Sequence, residues 1–312
     1  MFFRQYAALL LRFSTLIVIS VFLAVMRPEF LNVDNLTNVL RQSSLLFLLA
    51  SGLTVVVLTE GIDLSIGAVL ALSACVMATL LKSHGLLLGI GVGIAIGAAC
   101  GLVNGTLVAL IGLPSFIATY GMLWIAKGLA VIFMKAEIIW GFPKSFRFFG
   151  TGHVFGIPTP IIVMLVVLAI LFYVLKYTNL GRYIYSIGAN STAAKFSGIP
   201  VTRTLLITYT LSGVLCALAG VLYVARVNSV EAGIGDTLLL PALAAVTIGG
   251  TSLFGGEGGI GGTLLGAVIM SVLINGMNLM DVISHWQNFA IGAIVIIAVL
   301  VDQLGSKKVS AH

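Results

Sequence analysis

TEGIDLSIGAVLAL, residues 59–72, sets two carboxylates, Glu60 and Asp63, between one apolar run and the next. Asp63 suits the N-terminal end of the following helix, where a carboxylate meets unpaired N–H groups. Two readings stand open. The stretch is a capped turn at a membrane surface, or it is a broken helix beside a transport path. Non-helical backbone at membrane depth is tolerated only inside protein or facing a cavity. The second reading makes Asp63 and Ser65 path candidates.

Lys127 sits deep in the apolar run GMLWIAKGLAVIFM. A charge at that depth costs at least ~2.5 kcal/mol, so it faces the bundle interior or snorkels outward. Its neighbour Trp124 reads as a packing residue. A third stretch, IGGTSLFGGEGGIGG at 248–262, holds more glycine than a regular helix would choose. It turns sharply or admits another backbone. It has no Gly-Lys-Ser/Thr ending, so it is not a nucleotide loop. Thr251 and Ser252 are its hydroxyl-bearing candidates.

GANSTAAKFSG, residues 188–198, is the fourth stretch, and it looks soluble within a chain that is 60% hydrophobic and 8% charged. Asn190 can cap a short helix and Gly198 can end it. Phe196 and Ile199 give it one apolar side. So short a helix does not persist alone in water and needs a surface to hold it. That surface is a partner or the protein's own helix ends.

Several chemistries are disfavoured. No Ser-His-Asp, HExxH or paired-carboxylate arrangement stands out, which argues against a membrane enzyme. The histidines at 84, 153, 285 and 312 show no ligand spacing, so no metal is expected. Cys75, Cys100 and Cys216 lie inside apolar runs and read as small buried hydrophobes. The net charge of +6 is spread through short loops and builds no nucleic-acid patch. A secondary carrier needs intramembrane ionisable groups to couple to an ion gradient, and Lys127 is nearly alone.

The elements that must position these residues are membrane helices. Mean hydropathy is +1.17. Apolar runs long enough to cross the hydrocarbon recur at 8–26, 43–59, 66–82, 86–111, 114–134, 158–176, 204–226, 240–254, 262–280 and 285–303. The prediction is an all-α polytopic protein of about ten spans, forming one domain over residues 1–312. The first run lacks a cleavage site and reads as a retained span. GIGVGIAIGAACG at 89–101 and GGIGGTLLGA at 258–267 predict tight helix crossings, since small residues let backbones approach. Arg4, Arg12, Lys307 and Lys308 at the ends, with Lys176, Arg182, Lys195 and Arg203 in the central loop, put both termini and that loop in the cytoplasm. The opposite loops carry nearly as many basic residues, so the central loop decides the orientation.

Several segments together resemble one family, the ribose-type permeases of bacterial ABC sugar importers. TEGIDLSIGAVLAL resembles its GGIDLSVG-type signature. NGTLVALIGLPSFIATYGMLWIAKG at 104–128, LGRYIYSIGANSTAAKFSGI at 180–199, PALAAVTIGGTSLFGGEGGIGGTLLGA and LINGMNLM resemble further family segments, in order over nearly the whole chain. The resemblance implies an ABC importer permease bundle in the bacterial inner membrane. It implies a second permease subunit, identical or a close paralogue, a cytoplasmic ABC ATPase and a periplasmic sugar-binding protein. It also implies that ATP is used by the partner, with no cofactor here and no catalytic residue. The loop at 177–203 then becomes the ATPase-coupling element, carried by Gly188, Asn190, Thr192, Ala193, Ala194, Phe196 and Gly198. Thr192 stands where the general EAAxxxG-like motif has Glu. Translocation-path candidates are Asp63, Ser65, Asn104, Ser115, Thr119, Lys127, Thr251 and Ser252. Glu60 stands where many relatives have Gly, and Leu239-Leu240-Pro241 where many carry an acidic run. The expected function is ATP-driven, binding-protein-dependent import of a pentose or hexose. The alternative is a stand-alone secondary carrier for small polar solutes.

Overall fold

Long apolar runs become helices because backbone groups without water must satisfy one another. The computed structural model describes residues 2–307; Lys308 and His312, counted above, lie outside the described residues. The helices are α1 (Phe2–Met26), α2 (Val33–Val57), α3 (Ile66–His84), α4 (Leu86–Ala109), α5 (Ser115–Met134), α6 (Lys144–Thr151), α7 (Thr159–Tyr177), α8 (Asn179–Ala189), α9 (Ser191–Phe196), α10 (Val201–Val227), α11 (Leu239–Ile248), α12 (Ile260–Leu279) and α13 (Ser284–Lys307). Four two-residue strands make two small ribbons. β1 (Ile139–Trp140) pairs with β4 (Ser229–Val230), and β2 (His153–Val154) with β3 (Ile157–Pro158), both antiparallel.

Among the described residues, seven helices are long and apolar enough to cross a membrane: α2, α3, α4, α5, α7, α10 and α12. Apolar stretches in α1, α11 and α13 are shorter. The expected span 240–254 is corrected here. α11 has only 10 residues, about 15 Å, half of a crossing. Gly250, at φ +76°, takes the chain out of the helix. Irregular backbone flanks it on either side.

α10 runs through the centre, against α2, α3, α4 and α6. The expected tight crossings are present. A Cβ on Gly97 or Gly101 of α4 would collide with the α10 backbone at Gly213 and Tyr209. α11 and α12 form an antiparallel hairpin in which Gly249 lies against Gly262, and Ala245 against Gly266. Polar pairs fix how far α12 slides along α2. Thr54 and Thr263 hydroxyls meet at 2.7 Å, and the side chains of Asn35 and Asn275 exchange hydrogen bonds of 2.8 and 3.1 Å. Such bonds hold helix pairs in register where apolar burial does not discriminate.

Candidate functional site

The chain between α2 and α3 exposes Glu60 at its turn. It folds back into the bundle, and Asp63 ends up 2% exposed. Its carboxylate takes three hydrogen bonds. Ser65 donates from its backbone N–H (3.0 Å) and hydroxyl (2.6 Å) to Oδ1, and Ser212 of α10 donates to Oδ2 at 3.0 Å. The Ser65 N–H contact is an Asx-type turn, which stabilises the bend before α3. Asn104 of α4 donates to the Ser65 hydroxyl at 2.9 Å. Ser212 is eleven residues into α10, so this cluster lies ~17 Å along that helix, within the thickness of the bundle. The irregular backbone of this stretch is therefore buried inside protein at Asp63 and Ser65.

The N-terminal turns of α5 hold the other side of the break. The Ile62 N–H donates to Ser115 Oγ at 3.1 Å, and the Leu64 N–H to Thr119 Oγ1 at 3.1 Å. The Thr119 hydroxyl also lies 3.0 Å from the Ile62 carbonyl. Five sequence candidates, Asp63, Ser65, Asn104, Ser115 and Thr119, thus meet around one irregular segment. They do so because that segment offers backbone groups no helix satisfies, and buried polar groups must find partners. Beneath it, a cavity of about 200 Å³ opens between Glu60, Ser115, Ile187, Ser191 and Tyr209.

Thr251 and Ser252 do not join this group. They are buried in the glycine-rich loop between α11 and α12, where the Ser252 N–H donates to the Glu257 carbonyl at 3.0 Å. The loop both turns and admits other backbones. Gly256 N–H donates to the Leu58 carbonyl at 3.1 Å, Tyr185 of α8 donates to the Gly258 carbonyl at 3.0 Å, and a Cβ on Gly188 would strike both Leu58 and Gly256. Three backbones, from the α2–α3 turn, α8 and the glycine-rich loop, therefore touch at Gly188.

α9 projects from this junction. Asn190 caps it by accepting from the Ala193 N–H at 2.8 Å, and Gly198, at φ +79°, ends it. Ala194 is buried, while Thr192 and Ala193 are exposed and Phe196 is 88% exposed. The apolar side predicted for this helix is only partly covered, since Phe196 has nothing of its own chain over it.

Lys127 is partly exposed and finds an acid of its own chain. It pairs with Asp236 at 2.6 Å, in the irregular stretch after β4. Trp124, read from the sequence as a packing residue, meets Tyr120 edge to face at 6.4 Å on the outer side of α5. It is 56% exposed, with Lys127 Nζ 5.7 Å from its ring centre.

Sequence reasoning missed Ser212, Tyr209 and Asp236. Ser212 lies 149 residues from its partner Asp63, and one serine in an apolar span gives no signal. Asp236 did offer one, as an acid in the glycine-rich stretch VEAGIGDTLLL. At the end of the bundle away from α9, a larger cavity of about 710 Å³ is lined by Asp34, Asn38, Arg41 and His153. Arg226 donates to Asn38 Oδ1 at 2.6 Å beside it.

Comparison with known proteins agrees with this architecture. Residues 35–299 match the family described as branched-chain amino acid transport system, permease component. A ribose import permease of Haemophilus influenzae is 40% identical over 302 residues, covering 95% of this chain and 94% of its own. A ribose import permease of Bacillus subtilis is 41% identical over 294 residues, covering 93% and 91%. A fructose import permease of Rhizobium meliloti is 37% identical over 289 residues, covering 88% and 79%. No solved structure matches. This helical bundle, with seven helices among the described residues long and apolar enough to cross a membrane and matched over most of its length by these relatives, belongs to the family of membrane-embedded permease components of transport systems.

Proposed function

We propose that this chain forms the translocation path of an ATP-driven monosaccharide importer and takes its motion from a separate ATPase at α8–α9. Relatives named for ribose and fructose import support the substrate class. The observation that carries the coupling role is the arrangement around Gly188. A six-residue helix with an 88% exposed Phe196 rests on α8, and α8 touches both the turn leading to Asp63 and the glycine-rich loop. A push on α9 therefore reaches the break through close backbone contacts, since a close-packed interior transmits strain. The exposed Phe196 has the character of an anchor for a pocket on a partner.

In this reading α9 and both termini face the cytoplasm, and residues 1–312 act as one domain with 177–203 as its coupling loop. A second permease copy completes the path, and a periplasmic sugar-binding protein docks at the Arg41 and His153 end. Asp63, Ser65, Asn104, Ser115 and Thr119 set the shape of the path at its narrowest backbone, and Thr251 and Ser252 lie on the loop that α8 would move. The ATPase hydrolyses the nucleotide, so this chain needs no catalytic group.

The test is co-purification of the ATPase with this chain, followed by ATP-driven uptake in proteoliposomes. Phe196→Asp should weaken ATPase association about tenfold or more, equivalent to about 1.4 kcal/mol, while membrane insertion is kept. Undiminished association and uptake would remove the coupling assignment. Uphill accumulation by the chain alone, driven by protons or sodium, would replace the whole reading with a secondary carrier.

A further inference from the structure

The Lys127–Asp236 pair is not sealed inside the protein. The two side chains are 34% and 49% exposed. Lys127 is twelve residues from the start of α5 and seven from its end, so ~18 Å and ~10 Å from them. At that depth an exposed pair of charges is costly against hydrocarbon, even when the two are joined. The face that carries it therefore meets water or protein.

The two sides of α5 differ in kind. Ala118, Thr119, Met122, Ala126 and Ala130 are buried. The other side presents Tyr120 and Trp124, 52% and 56% exposed and edge to face at 6.4 Å, among the exposed aliphatic residues Ile117, Ile125, Leu129 and Ile132. Gly121 and Gly128 flank them, and a Cβ at either would meet nothing. The indole face of Trp124, the ammonium of Lys127 and the carboxylate of Asp236 lie together on this side. Exposed positions on α7, such as Leu165, Val166 and Ile170, are apolar, as a lipid-facing surface requires.

Resting on the function proposed above, we infer that this side of α5, with Asp236, lines the water-filled path and is a contact station for a neutral polyhydroxylated solute. The chemistry fits that class. Asp236 accepts from hydroxyls, Lys127 donates to ring or hydroxyl oxygens, and the Trp124 face covers the apolar C–H face of a sugar ring. The pair has no net charge, so it gives no electrostatic advantage to an anion or a cation. It is also tied to the break. A Cβ on Gly235 would collide with the Gly67 backbone, so Asp236 is held against the second residue of α3, two residues after Ser65. Thr119, on the same helix as Lys127, grips the break from the other side. Movement of the break would carry both partners with it.

The experiment uses the full transporter, permease with ATPase and binding protein, in proteoliposomes with ribose as the probe. Gly128→Cys should react with a membrane-impermeant thiol reagent, and ribose with ATP should slow that reaction. Val166→Cys should stay unreactive, and the three native cysteines are buried and give little background. Asp236→Asn and Trp124→Ala should lower ribose uptake about tenfold, with Trp124→Tyr restoring much of it. Complex assembly, read by co-purification, reports folding of each variant. The inference is overturned if Gly128→Cys reacts no faster than Val166→Cys, or if both Asp236→Asn and Trp124→Ala transport at the wild-type rate. Failure of the wild type to take up ribose or fructose would count against the proposed function instead, and thiol reactivity would still decide whether this face is wet.

Discussion

Two interruptions of the helical bundle each hold an aspartate, and they treat it differently. Between α2 and α3, Asp63 is 2% exposed and takes all its hydrogen bonds from serines, two from Ser65 and one from Ser212. Between α10 and α11, Asp236 is half exposed and answers a single lysine beside two open aromatic rings. The first acid is consumed by the backbone it organises. The second keeps oxygens available. The two segments touch where Gly67 and Gly235 leave no room for a Cβ. One is therefore a pin and the other a contact carried on that pin.

The sharpest way to break this contrast is Asp63→Ala. It leaves the donors of Ser65 and Ser212 buried without an acceptor, at about 1–3 kcal/mol each. We expect a loss of about 3 kcal/mol or more, read as a lower unfolding temperature in detergent. An unchanged temperature would show that Asp63 is no pin. Asp236→Asn, by contrast, should barely move unfolding, because half-exposed pairs contribute little; its effect belongs to transport.

Gly67→Ala comes next in size. The added methyl meets the Gly235 carbonyl, and such overpacking costs typically about 1–3 kcal/mol. Thermal unfolding should report that cost, and uptake should fall with it, since the lysine–aspartate pair is displaced from the break. Uptake at the wild-type level would show that the two segments work independently.

The smallest effect is a gain. Glu60 sits at φ +63°, in the left-handed region, and is exposed. Glu60→Gly should stabilise the protein by about 1 kcal/mol by removing that strain. The same geometry accounts for the glycine that the resemblance placed at this position. A destabilised Glu60→Gly would mean that the carboxylate has a partner in the assembled transporter.

Legibility varied with the range over which each feature is decided. The seven full spans were readable because hydrophobic length is a property of a continuous run. The run at 240–254 misled because it is as apolar as a span, while Gly250 breaks its helix. α9 was readable down to its caps, Asn190 and Gly198, since a cap acts within three residues. The open position of Trp124 was not readable, because sequence cannot say which side of an apolar helix finds a neighbour in its own chain.

By itself, the sequence determined that the protein lives in a bilayer as helices, where tight crossings lie, and where a capped knob leaves the bundle. These follow from local composition and from the cost of unpaired backbone in hydrocarbon. Only the tertiary structure decided that Ser212 would answer Asp63, that Asp236 would answer Lys127, and that three backbones would meet at Gly188. Such meetings join residues far apart in the chain, and the packing of whole helices, set by small residues at their crossings, chooses among them.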